Sequence, residues 1–526
     1  MKILILIFLL IGYLLIKIRK NVHILQQNFY NENNRYLKWG KKNIRKVFKI
    51  WDILLCLLNI CYLILRYEYL MFFNIIYLIL FIYSYNKMKK EQVKIPLKIT
   101  SRVKRIFFTC FMIYIIPLII YIFIHNEYLI YFIYSILLCF NFLVIFLANV
   151  INRPIERLVY YHYKKKALKK LKHNTNIEVI GITGSYGKTS CKNILYDILS
   201  VKFNVLSTPK NFNTKYGLII TINNYMDKFN EIFIAEMGAF KVGSIRDLCK
   251  LVHPKYGIIT NIGLAHLETF HSRENIQKGK FELVESLPND GLAILNMDDD
   301  YQVNYKIKNT CQKIWIGIDN TLADVRATDI VINENGMEFY VIFKGDDNKY
   351  FFETKLLGKN NIYNILSGIA FGKYMEMSIQ ELQLGVKLVR AIPHRLELKK
   401  FDDKVIIDDA YNSNPVGSKM ALDVLSLMEG TKIVVSPGMI ELGDKENELN
   451  KDFGKYLSNV ADYVILVGKK QTKAIYEGLM EKKYKKEKIF IINDVKEAFK
   501  IIDRIKVKDI KYILLENDLP DIFNEK

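Results

Sequence analysis

The sequence predicts an α/β protein with a helical membrane region ahead of it, and three observations carry that expectation. Long apolar runs fill most of the first 150 residues. After Lys172 short β-branched runs begin to alternate with amphipathic ones, the pattern of a parallel sheet wrapped by helices. A glycine-rich turn then joins the first such strand to its helix.

The apolar runs extend from Ile3 to Ile16, Ile50 to Leu65, Tyr69 to Tyr85, Ile106 to Ile124 and Tyr128 to Leu147. Crossing a bilayer takes about 20 apolar residues, so the last two fit best and the others need tilt or snorkelling ends. The formal net charge is +22, and residues 1–175 carry all of it, with 28 Lys and Arg against 6 Asp and Glu; the remainder holds 48 of each. A nucleic-acid partner is therefore not expected, because the basic residues lie between apolar runs. They fall into Lys17 to Lys46, Lys87 to Arg105 and Arg153 to Lys172, separated by the short loops Arg66 to Glu68 and His125 to Glu127. Five spans put these three segments on one face, which the positive-inside rule makes cytoplasmic, with the N-terminus outside. A multi-pass protein of a bacterial cell membrane, with its remaining domains in the cytoplasm, is the expectation. Lipid is the partner, attracted by the basic loops at about 1 kcal/mol per charge. A signal peptide is the weaker reading of the first run, because Lys17-Ile18-Arg19-Lys20 follows it in place of a small-residue cleavage site. The seven cysteines form no C-x-x-C pair, and Cys191, Cys249 and Cys311 are scattered, as reduced cytosolic thiols would be.

Four segments follow: a membrane region at 1–150, a basic and helical juxtamembrane linker at 151–176, and domains at 177–394 and 395–526. In the first domain strands are expected at Ile177 to Thr183, Glu231 to Ala235, Tyr256 to Asn261 and Leu292 to Asn296, with a helix at Lys188 to Val201. Antiparallel hairpins should occupy Ile330 to Leu356, turning at Glu334 to Gly336, before a helix at Asn361 to Tyr374. The second domain alternates strand Val405 to Ile407, helix Gly417 to Met428, and strands at Lys432 to Val435, Tyr463 to Val467 and Lys488 to Ile492. Helix Val495 to Ile505 and strand Tyr512 to Leu515 complete it.

The strongest chemical signal is Gly181-Ile182-Thr183-Gly184-Ser185-Tyr186-Gly187-Lys188-Thr189-Ser190. A glycine-rich turn leaves backbone N–H groups free at a helix N-terminus, where they and the helix dipole favour phosphate. Lys188 adds a point charge and Thr189 an oxygen for Mg²⁺. The general phosphate-loop pattern asks for glycine where this chain has Ile182. Glu236, at the carboxyl end of a strand, stands where ligands of open α/β sheets gather. Other candidates read two ways. His266 suits a structural role or a metal ligand, Lys280 beside Lys278 reads as a surface lysine, and Asn361 and Asn364 suit a helix cap. Arg395 suits an ordinary ion pair, Asp409 a strand end, and Asn213 with Thr214 a plain turn.

The loop Thr183-Gly184-x-x-Gly187-Lys188-Thr189 resembles the ATP loop of the Mur ligase family, and further marks of that family follow in order. They are Glu236-Met237-Gly238; Thr260-Asn261-Ile262-Gly263-Leu264-Ala265-His266-Leu267-Glu268; Lys280; Gly358 through Asn364; Pro393-His394-Arg395; Asp408-Asp409-Ala410-Tyr411-Asn412-Ser413-Asn414-Pro415; and Gly438 through Gly443. The resemblance covers residues 177–526 and points to the MurF-like branch that adds D-alanyl-D-alanine. It implies a P-loop central domain and a Rossmann-like C-terminal domain, with ATP and two Mg²⁺ ions. By resemblance Gly184 through Ser190 hold the phosphates, Thr189, Glu236 and His266 the metals, Asn364 the adenine and Asp409 the ribose. Arg395 would reach ATP phosphate across the domain gap, Lys280 would be carbamylated, and Asn213, Thr214 and Asn412 would lie near substrate. Lys188, His266, Lys280 and Arg395 are the implied catalytic residues.

The reaction implied is phosphorylation of a carboxylate followed by attack of an amine on the acyl phosphate, with a cell-wall precursor as acceptor and a D-amino acid or dipeptide as amine. Relatives of this branch begin with a small domain for the uridine nucleotide of the acceptor, and here apolar sequence stands in that place. A lipid-linked acceptor delivered along the cytoplasmic leaflet is therefore expected. The alternatives are a ligase of the same mechanism acting on another wall or storage polymer, and a membrane scaffold that binds ATP without ligating.

Overall fold

The computed structural model describes residues 2–48, 50, 52–54, 56–57, 70–90, 96–263, 266–333, 335–391, 393–410, 414–440, 442 and 445–517. The chain divides into two compact units, Met1–His162 and Tyr163–Lys526. The boundary falls in the expected linker, which is a helix, Arg153–His173.

The first unit is helical. Helices Lys2–Gln27 and Leu70–Lys90 contain the apolar run at 3–16 and the described part, 70–85, of the run from Tyr69 to Tyr85. Among the described residues one helix, Ser101–Ile124, is long and apolar enough to cross a membrane. The run from Tyr128 to Leu147, expected as a single span, is broken at Phe140 into Glu127–Cys139 and Asn141–Ile151, and Phe132–Cys139 lies 79° from Asn141–Ile151. Buried polar bonding accompanies the break: Asn141 Nδ2 donates to Tyr114 Oη at 2.7 Å and Asn21 Nδ2 donates to Asn141 Oδ1 at 2.5 Å. Much of the run from Ile50 to Leu65 lies outside the described residues. The expected five-span count thus meets one qualifying helix, or two if the bent pair is one span. A buried Lys17 pairs with Asp52 at 2.5 Å, and Tyr13 Oη donates to the same carboxylate at 2.9 Å, so these charges are matched inside the bundle.

The second unit holds two sheets. The first runs in the order β2-β3-β1-β4-β5-β6-β7-β8-β9. Its strands are β1 (Glu178–Thr183), β2 (Val205–Ser207), β3 (Ile232–Glu236), β4 (Tyr256–Ile259), β5 (Leu292–Asn296), β6 (Gln312–Gly317), β7 (Val325–Asn333), β8 (Gly336–Phe343) and β9 (Lys349–Thr354). Pairing is parallel through β6 and β7, and antiparallel from β7 to β9. β3 and β5 are buried along their whole length, as apolar strands covered on both faces must be. In the expected hairpin Asn333 pairs with Gly336, whose φ of +144° suits a turn, while Glu334 lies outside the described residues.

The second sheet, β10-β11-β15-β12-β13-β14, comprises β10 (Glu397–Lys400), β11 (Lys404–Asp409), β12 (Thr431–Ser436), β13 (Tyr463–Val467), β14 (Ile489–Ile492) and β15 (Lys511–Glu516). Alternate residues feed two separate cores. Val405, Ile407, Val434 and Leu514 enter one, while Ile406, Ile433, Val435 and Ile513 enter the other, the period of two that a strand imposes.

Candidate ATP and metal site

At the carboxyl end of β1 the chain turns through Gly184 (φ +153°) and Gly187 (φ +77°) into helix Lys188–Leu199. A Cβ on Gly184 would stand 1.9 Å from Thr260 Oγ1, so only glycine lets β1 and the loop after β4 approach this closely. That second loop braces the first. Ser185 N donates to Asn261 O at 2.9 Å, Tyr186 N to Asn261 Oδ1 at 2.8 Å and Thr260 Oγ1 to Tyr186 O at 2.5 Å. The Tyr186 ring lies over Gly263, where an added Cβ would meet it at 2.5 Å. Lys188 folds back, its Nζ donating to Gly184 O at 2.7 Å and Ser185 O at 3.2 Å. Burial brings its ammonium down to about 8, with the charge of Arg395 pushing the same way and Glu236 opposing.

Glu236 ends β3 and is 1% exposed. Its carboxylate accepts from Thr189 Oγ1 at 3.0 Å and Asn213 Nδ2 at 3.1 Å, and Lys192 Nζ lies 3.5 Å away. A hydroxyl and a carboxylate this close are hard oxygen donors that fit Mg²⁺. His266 follows β4 at φ +61° and packs its ring edge-on against Phe240, with centroids 4.9 Å apart. Phe240 lies four residues past Glu236, so the imidazole belongs to the same rim of the sheet.

The reading of Lys280 as a surface lysine does not hold. Helix Arg273–Phe281 turns Ile276, Gly279 and Lys280 inward while Lys278 stays exposed. Lys280 is 1% exposed, its Nζ is 5.8 Å from the centre of the Phe270 ring, and it makes no hydrogen bond among the described residues. Burial drives its pKa well below that of an ordinary lysine, the Lys188 charge adds to the effect and Glu282 opposes it. An amine whose burial favours the free base, with the Lys188 charge pushing the same way, fits carbamylation, because CO₂ reacts with the free base.

A cleft of about 790 Å³, open solvent included, runs from this loop to the C-terminal domain. Tyr186, Gly187, Ser190 and Asn364 line one side, and Arg395, Asp409 and Asn414 the other. Asn364 is buried, and its Oδ1 stands 3.7 Å from where a Cβ on Gly187 would lie, so the phosphate-loop turn and this amide are neighbours. Arg395 acts on both sides, since its charge lowers the pKa of both Lys188 and Asp409. Asp409, the last residue of β11, is pushed up to about 6 by burial, against the pull of Arg395.

Most of the expected residues therefore converge. Thr214 also has a local duty, its Oγ1 accepting from Gly217 N at 3.3 Å to cap helix Lys215–Asn224. Asn361 is not a cap, because Gly358 holds that position in helix Lys359–Tyr374. Asn412 lies outside the described residues. His394, Glu397 and Asp408 form a second cluster of metal-ligand type, but Lys399 Nζ stands 2.5 Å from Asp408 and 3.2 Å from Glu397, supplying the positive charge itself. Sequence reasoning assigned no role to Lys192, Thr260 or Asn261. The spacing of Lys192 from Lys188, one helical turn, was the available signal for the first.

Residues 182–372 match the family model for the Mur ligase middle domain, and residues 394–514 that for the Mur ligase, glutamate ligase domain. The UDP-N-acetylmuramoyl-tripeptide--D-alanyl-D-alanine ligase of Bacillus subtilis is 35% identical over 295 residues, covering 55% of this chain and 63% of its own length. The Escherichia coli protein of that name is 30% identical over 294 residues, covering 55% and 64%. The chain thus spans less than two thirds of each relative. Among solved structures, MurF from Acinetobacter baumannii matches with a TM-score of 0.62 at 25% identity, over 68% of this chain and 77% of that one. MurF ligase from Thermotoga maritima in complex with ADP matches with a TM-score of 0.61 at 26% identity, over 69% and 81%.

Proposed function

The chain belongs to the Mur ligase family through its middle and C-terminal domains, and from that premise we propose that it is an ATP-dependent amide ligase joining D-alanyl-D-alanine to the peptide carboxylate of a cell-wall precursor. The observation that carries this reading is the pairing of Thr189 with Glu236 at 3.0 Å beside the phosphate loop, at one end of a cleft whose other side holds Arg395 and Asp409.

The acceptor carboxylate oxygen attacks the γ-phosphorus of ATP, ADP leaves, and an acyl phosphate forms. The amine of the dipeptide then attacks the acyl carbon, phosphate leaves with the electron pair of the broken C–O bond, and the nitrogen loses a proton. The N–H groups that open helix Lys188–Leu199 and the Lys188 ammonium would hold the phosphates, the ammonium giving up the two carbonyl contacts that it makes at rest. Thr189 and Glu236, with His266 on the same rim, would hold Mg²⁺, which neutralises phosphate charge when bound. Arg395 adds positive charge from the opposite lobe. Asn364 faces the adenine and Asp409 the ribose hydroxyls. As a carbamate, Lys280 becomes an anion able to assist the metal.

Membrane attachment is the second part of the proposal. The apolar helix Ser101–Ile124 and the basic stretch 153–172 support a chain held at the cytoplasmic face, its acceptor arriving along the leaflet. Purified full-length protein in lipid nanodiscs, given ATP, D-alanyl-D-alanine and either the UDP-linked muramoyl tripeptide or its lipid-linked form, is expected to yield dipeptide-extended product and ADP by mass spectrometry. Turnover of the soluble form alone would remove the lipid-linked acceptor. Absence of product from both forms would overturn the ligase reading.

A further inference from the structure

We infer that His394 and Asp408 are positioning residues for Arg395, the bond between them being the clasp that keeps the arginine on the wall of the cleft. The inference rests on the ligase reading above and assigns to that reaction two residues that do not line the cleft.

Arg395 sits between two residues in the left-handed region, His394 at φ +62° and Leu396 at φ +48°. Residues with a side chain hold that conformation at a cost, so their surroundings must impose it. For Leu396 the restraint is burial: its side chain enters the C-terminal core, and its N–H donates to Asp409 Oδ1 at 3.3 Å. The His394 side chain is 54% exposed, so packing does not hold it. Its restraint is polar, with Nδ1 donating to Asp408 Oδ2 at 2.8 Å and the backbone N–H donating to Glu397 Oε2 at 3.2 Å. An ionised carboxylate only accepts, so Nδ1 carries a proton in this pair.

The accepting end of the clasp is fixed by the sheet. Asp408 is buried in β11 and faces Glu397 of β10 directly across the antiparallel ladder. Carboxylates so opposed repel, and Lys399 Nζ stands between them, 2.5 Å from Asp408 and 3.2 Å from Glu397, turning the repulsion into a frame. Asp408 Oδ1 also accepts from Ala410 N at 3.2 Å, so the carboxylate cannot rotate away without losing bonds at both oxygens. Arg395 is thereby held from both sides, by the core through Leu396 and by a sheet-anchored carboxylate through His394. Its charge is felt at Lys188 on the facing wall, where it adds to the effect of burial. Without the His394 bond, the chain ahead of Leu396 can relax out of the left-handed region, and the arginine turns with it.

The test is a double-mutant cycle in steady-state ADP release by the full-length protein in nanodiscs, given ATP, D-alanyl-D-alanine and whichever acceptor form is turned over. His394→Ala should lower kcat by about tenfold or more while the melting curve stays that of a folded protein. His394→Asn puts an amide nitrogen where the imidazole Nδ1 stands and tolerates the left-handed region, so it should restore the rate to within about threefold. His394→Gln, whose nitrogen lies one bond further out, should not. In an Arg395→Ala background, His394→Ala should add less than about a twofold loss, because a residue acting through the arginine has nothing left to position. A full-rate His394→Ala, equal rates for the Asn and Gln variants, or losses at 394 and 395 that multiply would each overturn the proposal. A natural chain that releases no ADP would count against the ligase reading instead. The clasp would then be read from fluorescence titration with N-methylanthraniloyl-ATP, where the same order of variants is expected and a His394→Ala affinity equal to the natural one overturns it.

Discussion

At the phosphate end of the cleft, Thr189, Lys192 and Asn213 all reach the Glu236 carboxylate within 3.5 Å, and a second loop braces the first through Thr260 and Asn261. At the opposite end Asp409 Oδ1 accepts one backbone bond among the described residues, from Leu396 N at 3.3 Å, and the charge of Arg395 pulls the same way. The first end is assembled before any ligand arrives, with its carboxylate matched by donors. The second end keeps a carboxyl whose burial is only partly compensated. Preorganised groups stabilise charge without reorganising, and loosely compensated ones respond to conditions. The phosphate end should therefore set the rate, and the ribose end should set the response to pH on the acid side, below the range near 8 where Lys188 loses its proton.

Lys188→Ala should sharpen this comparison most, lowering kcat/KM by about a hundredfold or more while the protein melts near the natural temperature. A loss below tenfold in a steady-state ADP-release assay would break the assignment. Next comes Lys280. Its buried amine should take up label from ¹³C-bicarbonate to give a carbamate signal in ¹³C NMR, absent from Lys280→Ala, and activity should fall when bicarbonate is stripped. A signal of equal strength in both proteins would place the carbamate elsewhere.

The ribose end gives a smaller effect with a definite sign. The Asp409 carboxyl titrates near 6 in the folded chain against 3.8 as its ordinary value, so folding favours its protonated form. Its burial weighs against stability above pH 6, and that penalty disappears as the pH falls toward 4. Nucleotide affinity should move the other way, weakening as the pH falls through 6 and the carboxylate is lost. Asp409→Asn should flatten that affinity profile, and an unchanged profile would remove Asp409 from the ribose contact. The smallest effect is at Thr214. Losing its cap through Thr214→Ala should cost about 1 kcal/mol in chemical denaturation, with nucleotide affinity unchanged.

The same contrast shows what the sequence could reveal. β1, β3 and β5 were legible because they are short apolar runs, and the phosphate loop because its chemistry is local and contiguous. β2 spans three residues, β6 opens with Gln312 and Lys313, and β10 reads Glu397-Leu398-Lys399-Lys400, so none carries the alternation that marks a strand. Helices Arg273–Phe281 and Glu446–Val460 were missed for a related reason, being mostly polar with narrow buried stripes. The burial of Lys280 follows from its place on such a stripe, beside Phe270, which charge alone does not indicate. Lys192 was illegible because its partners, Lys210 and Glu236, meet it only once β1 and β3 have paired. The break at Phe140 was hidden in an apolar run whose composition suits a straight helix equally well.

The Tyr186 ring resting on Gly263 has a consequence for how this sequence can diverge. Any side chain at position 263 would have to share space with the ring, so the two positions cannot drift independently. In descendants of this chain, loss of the glycine should be found only where the tyrosine has already given way to something smaller.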